Sequence, residues 1–276
     1  MADIHQFNHR AMATHFEVRI SGEEKTYAAQ AAQAAIDLVD KLESRLSRFR
    51  SNSDIAQIAA LAPGEKLRLS EPAFACLQIA KKMELVTRGA FSVTAAALQT
   101  QPTLPQWSLL PEEQAILCIN GRLQFDLGAI GKGFALDRMA DLLRNWDCQS
   151  FLLVAGGSSI LAGDAPGNTA GWSCGLGDDN ATQRFFLTNV SLSGSGLAVK
   201  GSHIFDPRTG QSALRQNRAW ALTDTAAVSD ALSTACMVLS ETELERVLDQ
   251  DESWLVFLET EGTAEPMGRR ALPPQA

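Results

Sequence analysis

The sequence predicts an α+β fold in one compact domain, with mixed and antiparallel sheets and packed helices. Three observations support this. Helical and strand-like stretches intermix along the 276 residues without the regular strand–helix alternation of a parallel sheet. No internal repeat divides the chain. With 45% apolar and 20% charged residues, the composition suits a large core that needs no staples.

Each element has its own signal. Residues 14–20 (Thr-His-Phe-Glu-Val-Arg-Ile) alternate apolar and polar, the mark of a half-buried strand. Over 25–46 a helix presents Ala31, Ala35, Leu38, Val39, Leu42 and Leu46 on one face, and its many alanines suit close packing on a sheet. Phe49 stands among charges just past that helix. It is either a core anchor or an aromatic platform for a flat ligand, and the residues alone favour the anchor. A helix over 70–88 has Ser70 as its cap, Pro72 in its first turn and Gly89 at its close. Residues 99–113, with three prolines and Trp107, read as a surface excursion.

Asn120-Gly121 between two alternating apolar runs predicts a hairpin over 116–126. A helix then runs from about 133 to 146, burying Ala135, Met139, Leu142 and Trp146. Residues 151–155 form a buried strand stopped by Gly156-Gly157. Strands follow at 172–177, 184–192, 219–223 and 254–258, with helices at 225–239 and 241–248. The domain is placed at 1–262, and the tail 263–276, with Pro266, Pro273 and Pro274, is expected to be disordered.

Composition also excludes function classes. A net charge of −8 and a pI near 5.1, without a dense basic run, argue against a nucleic-acid partner. Five scattered cysteines (Cys76, Cys118, Cys148, Cys174, Cys236) never fall as C-x-x-C, against both a disulfide framework and a zinc site. No run reaches the length of a membrane span, and the first residues lack a secretory layout, so the expected compartment is the cytoplasm.

Two segments suggest chemistry. Residues 125–137 read as a strand ending at Asp126, a loop with Gly128, Gly131 and Gly133, and a helix start beside Lys132. Unpaired amides, helix dipole and a mobile ammonium together suit a phosphate or pyrophosphate, although a glycine turn with a solvated lysine fits the spacing equally well. Later, Asp230 and Thr234 share a helix face among alanines, oxygen ligands of the kind magnesium accepts. The alternative is a dipole partner and a threonine bonded back to its own helix. His203 is equally consistent with a strand residue satisfied by backbone.

Taken in order, Asp126-Leu-Gly-Ala-Ile-Gly-Lys-Gly-Phe-Ala-Leu-Asp137, Val154-Ala-Gly-Gly157, Ser193-Gly194, His203-Ile-Phe-Asp-Pro-Arg-Thr-Gly210 and Ser229-Asp-Ala-Leu-Ser-Thr-Ala235 resemble the motifs of the ApbE family, the FAD:protein FMN transferases. Met12-Ala-Thr14, Leu46-Ser-Arg-Phe-Arg50 and Gly89-Ala-Phe-Ser-Val-Thr94 fit as well, so the resemblance runs over residues 10–260 or so. It implies magnesium-dependent cleavage of FAD, transfer of FMN to a threonine or serine hydroxyl of an acceptor flavoprotein, and release of AMP. By resemblance, Asp230, Thr234 and a backbone carbonyl near Ala129 hold the magnesium. Met12, Ala90, Phe91, Ser92, Asp126, Lys132 and a contact near Ile204 hold FAD, and Phe49 replaces the family's usual tyrosine against the flavin. His203 is the general base for the incoming hydroxyl.

The chain departs from the family at Gly131 (commonly Ala), Phe134 (Tyr), Ser158 (an acid) and Ser92-Val93 (Asp-Pro). Two further readings stand beside the transferase: an FAD pyrophosphatase giving free FMN and AMP, and a non-catalytic flavin-binding or assembly protein.

Overall fold

A hairpin opens the chain. β1 (Ile4–Ala11) and β2 (Thr14–Ser21) pair antiparallel around Met12 (φ 49°) and Ala13 (φ 57°), both left-handed, as a two-residue hairpin turn of this twist requires. The computed structural model describes residues 3–177, 183–196, 205–211, 216–260 and 263–276. His203 and Ile204 lie outside the described residues.

Helix α1 (Lys25–Leu46) occupies the span its spacing predicts, followed by a short α2 (Asp54–Ile58), β3 (Lys66–Arg68) and α3 (Glu71–Val86). Next come β4 (Gln106–Leu110), β5 (Ala115–Asn120), α4 (Gly131–Asn145), β6 (Phe151–Ala155) and β7 (Ser159–Ala162). The remainder is β8 (Trp172–Gly175), β9 (Arg184–Leu187), β10 (Val190–Gly196), β11 (Arg218–Thr223), α5 (Ala226–Cys236), α6 (Glu241–Leu248), β12 (Leu255–Thr260) and β13 (Thr263–Gly268).

The main sheet runs β1-β2-β6-β7-β10-β11-β12-β13, every neighbour antiparallel. Alternation along its strands sorts side chains to two faces. Leu153, Leu161, Ala219 and Ala221 join the larger core with the apolar faces of α1, α3, α4 and α5. Leu152, Ala162, Leu192, Trp220 and Leu222 point the other way, onto Trp172, Cys174, Phe185 and Leu187 of the β8–β9 ribbon. No helix among the described residues is long and apolar enough to cross a membrane.

Four expectations are corrected. Residues 116–126 are not a hairpin: β5 pairs with β3 and β4 instead, and Gly121 (φ 72°) turns the chain away from the sheet. Residues 99–113 are therefore more than a surface excursion, since they supply β4, whose Trp107 is buried edge-on against Phe125 at 5.1 Å. The stretch 184–192 is two strands, broken where Asn189 takes φ 50°. The segment 263–276 is not a disordered tail. β13 pairs with β12, and the last residues run along β9, where the Phe186 N–H donates to the Pro274 carbonyl at 2.7 Å and that of Ala276 to Arg184 at 3.0 Å. Pro266 is tolerated within β13 because that strand lies at the sheet edge, and Pro273 and Pro274 lie beyond it.

Candidate active site

The glycine turn and the late helix meet. Asp230, buried in the second turn of α5, accepts the Gly133 N–H on Oδ2 at 2.8 Å and the Ser159 hydroxyl on Oδ1 at 2.5 Å. The Lys132 ammonium stands 3.3 Å from the same Oδ2 and 3.5 Å from the Gly128 carbonyl. Close packing explains why a third glycine is needed: a Cβ on Gly133 would sit 2.0 Å from the Ala226 carbonyl oxygen. Gly133 thus lets α4 touch the start of α5, and the Gly131 N–H is taken by Leu127 at 2.6 Å. Two of the first three amides of α4 are therefore occupied by the protein itself. This narrows the anion-binding role read from the sequence mainly to Lys132.

Of the second alternative for the acid/hydroxyl pair, the threonine's back-bond is present and the dipole partner is not. Thr234 Oγ1 donates back to the Asp230 carbonyl at 3.1 Å, as a helical threonine does, and also lies 3.1 Å from Ser195 Oγ. Ser195 is in turn 3.0 Å from Ser233. Asp230 is no dipole partner of its own helix, because it lies past the first turn and caps α4 instead. The donors around it are one carboxylate, hydroxyls and carbonyls, and no group of three His, Cys, Asp or Glu occurs among the described residues. An all-oxygen set with one carboxylate fits magnesium that keeps water and phosphate oxygens, and does not fit zinc. Ala129 sits in the turn just before α4, next to Gly128.

Asp126 and the end of α1 form the outer part. The Asp126 N–H donates to the Val93 carbonyl at 2.7 Å, which fixes the aspartate beside the 90–93 loop. Its Oδ1 accepts the Gly128 N–H at 2.9 Å and its Oδ2 pairs with Arg48 at 3.0 Å. The Arg48 guanidinium also lies 4.8 Å from the centre of the Phe49 ring. Phe49 is 81% exposed, so the anchor reading is overturned and the ring is free to stack on a flat ligand.

Ala90 and Phe91 are buried in the core, so their side chains are closed to a ligand. Contact there has to come from main chain or from Ser92, whose hydroxyl donates to Glu84 at 3.1 Å. Met12 holds the tip of the first hairpin in left-handed geometry, and Gly156 packs against it so tightly that a Cβ there would be 2.5 Å from Thr14 Oγ1.

Several groups escape a reading of the sequence. Asp137 accepts the Ala226 and Ala227 N–H groups at 2.6 and 2.9 Å, and burial pushes its carboxyl up to about 6 against the pull of those two bonds. Ser159, Ser195 and Arg48 are ordinary polar residues by position. Only the run of small residues through α5, which signals close contact on several sides, hinted at such neighbours.

Residues 12–257 match the ApbE family. Two FAD:protein FMN transferases of Klebsiella pneumoniae are similar to the chain. One is 24% identical over 65% of this chain and 66% of its own length. The other is 22% identical over 92% of this chain and 83% of its own. The fold is shared with the crystal structure of the Pseudomonas stutzeri flavinyl transferase ApbE in its apo form, at a TM-score of 0.81 and 19% identity, over 96% of this chain and 94% of that one. With the match spanning most of its length and the architecture in common, the chain belongs to the ApbE family.

Proposed function

We propose that the protein is a magnesium-dependent FAD:protein FMN transferase, which cleaves FAD and attaches FMN to a threonine or serine hydroxyl of an acceptor flavoprotein with release of AMP. The observation that carries the reading is the 3.3 Å approach of Lys132 to Asp230, which joins a phosphate-type loop to a hard-cation donor set across 98 positions of sequence. Transfer at a diphosphate asks chiefly for positioning and charge neutralisation, and the Lys132–Asp230 approach supports a site of that kind.

Asp230 and Thr234, with the carbonyl near Ala129, would hold magnesium, which when bound supplies positive charge at the diphosphate. Lys132 pairs with Asp230 in the free protein and is placed to turn its ammonium onto a phosphate oxygen. Phe49 offers its ring face to the isoalloxazine, and Asp126, oriented by Gly128 and Arg48, offers a carboxylate to the same ligand. Met12, the main chain at Ala90 and Phe91, Ser92 and Ile204 complete the FAD site in this reading. His203 is the proposed base for the acceptor hydroxyl. The five cysteines are free and buried, which supports a reducing compartment such as the cytoplasm.

The test is incubation of the full chain with FAD, magnesium and a candidate acceptor flavoprotein, followed by intact-mass analysis and nucleotide chromatography. The reading expects AMP and an acceptor heavier by one FMN, in equal amounts. Free FMN and AMP without a labelled acceptor would make the protein a pyrophosphatase. FAD binding without AMP would make it a flavin-binding protein.

A further inference from the structure

Helices α4 and α5 exchange carboxylates. Neither helix has a side-chain cap from its own N-cap residue, Ile130 or Thr225. Asp137, one turn beyond Gly133 in α4, takes the first two amides of α5, those of Ala226 and Ala227. Asp230, one turn beyond Ala226 in α5, takes the Gly133 amide of α4. The bonds close a ring through two single helical turns, each stiff because its own backbone bonds hold it. Gly133 brings the two backbones into contact, so the ring has no slack on that side. Displacing α5 at Ala226 must therefore move Asp230 relative to Gly133 and Lys132.

We infer that Asp137 is a positioning residue for the Asp230 carboxylate: by clamping the first turn of α5 onto α4, it fixes where Asp230 stands against Lys132. Ser159 completes the placement from β7, holding the oxygen that the Gly133 amide does not hold. Asp137 touches neither Lys132 nor Thr234 in the bonds it makes, and acts only through the helix. The catalytic meaning of this ring rests on the transferase reading, but its mechanical content does not.

The test reads amide hydrogen exchange at Gly133 by NMR in the full chain carrying Asp137→Ala. Loss of protection at Ala226 and Ala227 follows from any local capping role. Positioning of Asp230 requires Gly133, in the other helix, to lose protection as well, by about tenfold, roughly the worth of one cap. Binding of Mn2+, followed by the EPR signal of the free ion, should weaken by a similar factor. Leu248→Ala, a core truncation in α6, serves as the control for lowered stability: the Gly133 protection it loses in proportion to its stability is the baseline that Asp137→Ala has to exceed, with Mn2+ binding unchanged. Where the alanine variant fails to fold, Asp137→Asn, which keeps one acceptor, should give a smaller loss of the same pattern. Gly133 exchange within twofold of the wild type in the folded variant overturns the inference. Because exchange needs neither FAD nor metal, absence of AMP formation by the wild-type protein would sink the transferase reading and leave this result to stand by itself.

Discussion

Asp137 shows how one side chain can record the conflict between burial and hydrogen bonding. Desolvation lifts its carboxyl to about 6 from an ordinary 3.8, even though two amides favour the charged form. A folded-state value above the unfolded one means the folded protein holds the proton more tightly. The associated stability is therefore complete below the unfolded value and drains away as pH rises through about 6. Urea unfolding of wild type and Asp137→Asn across pH 4 to 7 should show the wild type's relative stability falling with pH over that window. A rise over the same window would mean that the amide bonds outweigh burial. At Gly133 the outcome is steric: Gly133→Ala should destabilise by about 1–3 kcal/mol or more, since the Ala226 carbonyl cannot retreat without moving α5. At Phe49 it is neither. Phe49→Ala should leave the melting temperature unchanged because the ring is exposed, yet weaken FAD binding by about tenfold through lost stacking, read by flavin fluorescence.

At the scale of elements, the long helices were legible, whereas the five-residue α2 and the strand pairing were not. The helical period over α1, and the Ser70 cap with Pro72 at the start of α3, are local signals, and the structure follows them. Strands β1, β3 and β7 carry weaker ones: β1 is an edge strand with alternate residues exposed, β3 has three residues and β7 four. The Asn120-Gly121 signal did mark a turn, but β5 pairs with β3 and with β4, whose Trp107 is buried, and no local pattern contains those contacts. The site divides in the same way. Lys132 and Asp230 were visible as residue types, whereas Asp137, Ser159 and Arg48 matter through contacts 89, 71 and 78 positions away (226 − 137, 230 − 159, 126 − 48).

Helix α6 offers an element-scale prediction. Glu243 closes a capping box with Ser240 and pairs with Arg208, and the Ser240 amide first among these pulls its carboxyl down to about 2. Arg208 also grips Asp206 at 2.7 Å, so α6 anchors the 205–211 loop. Glu243→Ala should cost about 1 kcal/mol in chemical denaturation, the worth of a cap. It should also raise amide exchange in that loop. An unchanged loop would show that Asp206 alone orders it.

For the whole molecule, one sheet brings distant segments to a common rim. Antiparallel order places the start of β2, the end of β6, the start of β7 and the later part of β10 side by side, with Ser159 opposite Ser193 and Gly156 against Thr14. Helices α4 and α5 then set Lys132 and Asp230 over that rim from the same face. The central claim is that these two residues serve a single divalent ion at the diphosphate of FAD. Mn2+ is paramagnetic and broadens the resonances of nuclei close to it, so the most direct measurement is 31P NMR of FAD bound to the full chain in the presence of Mn2+, for wild type and Asp230→Ala. The account predicts broadened phosphorus resonances in the wild type and sharp ones in the variant with flavin still bound; equal broadening in both proteins would contradict it.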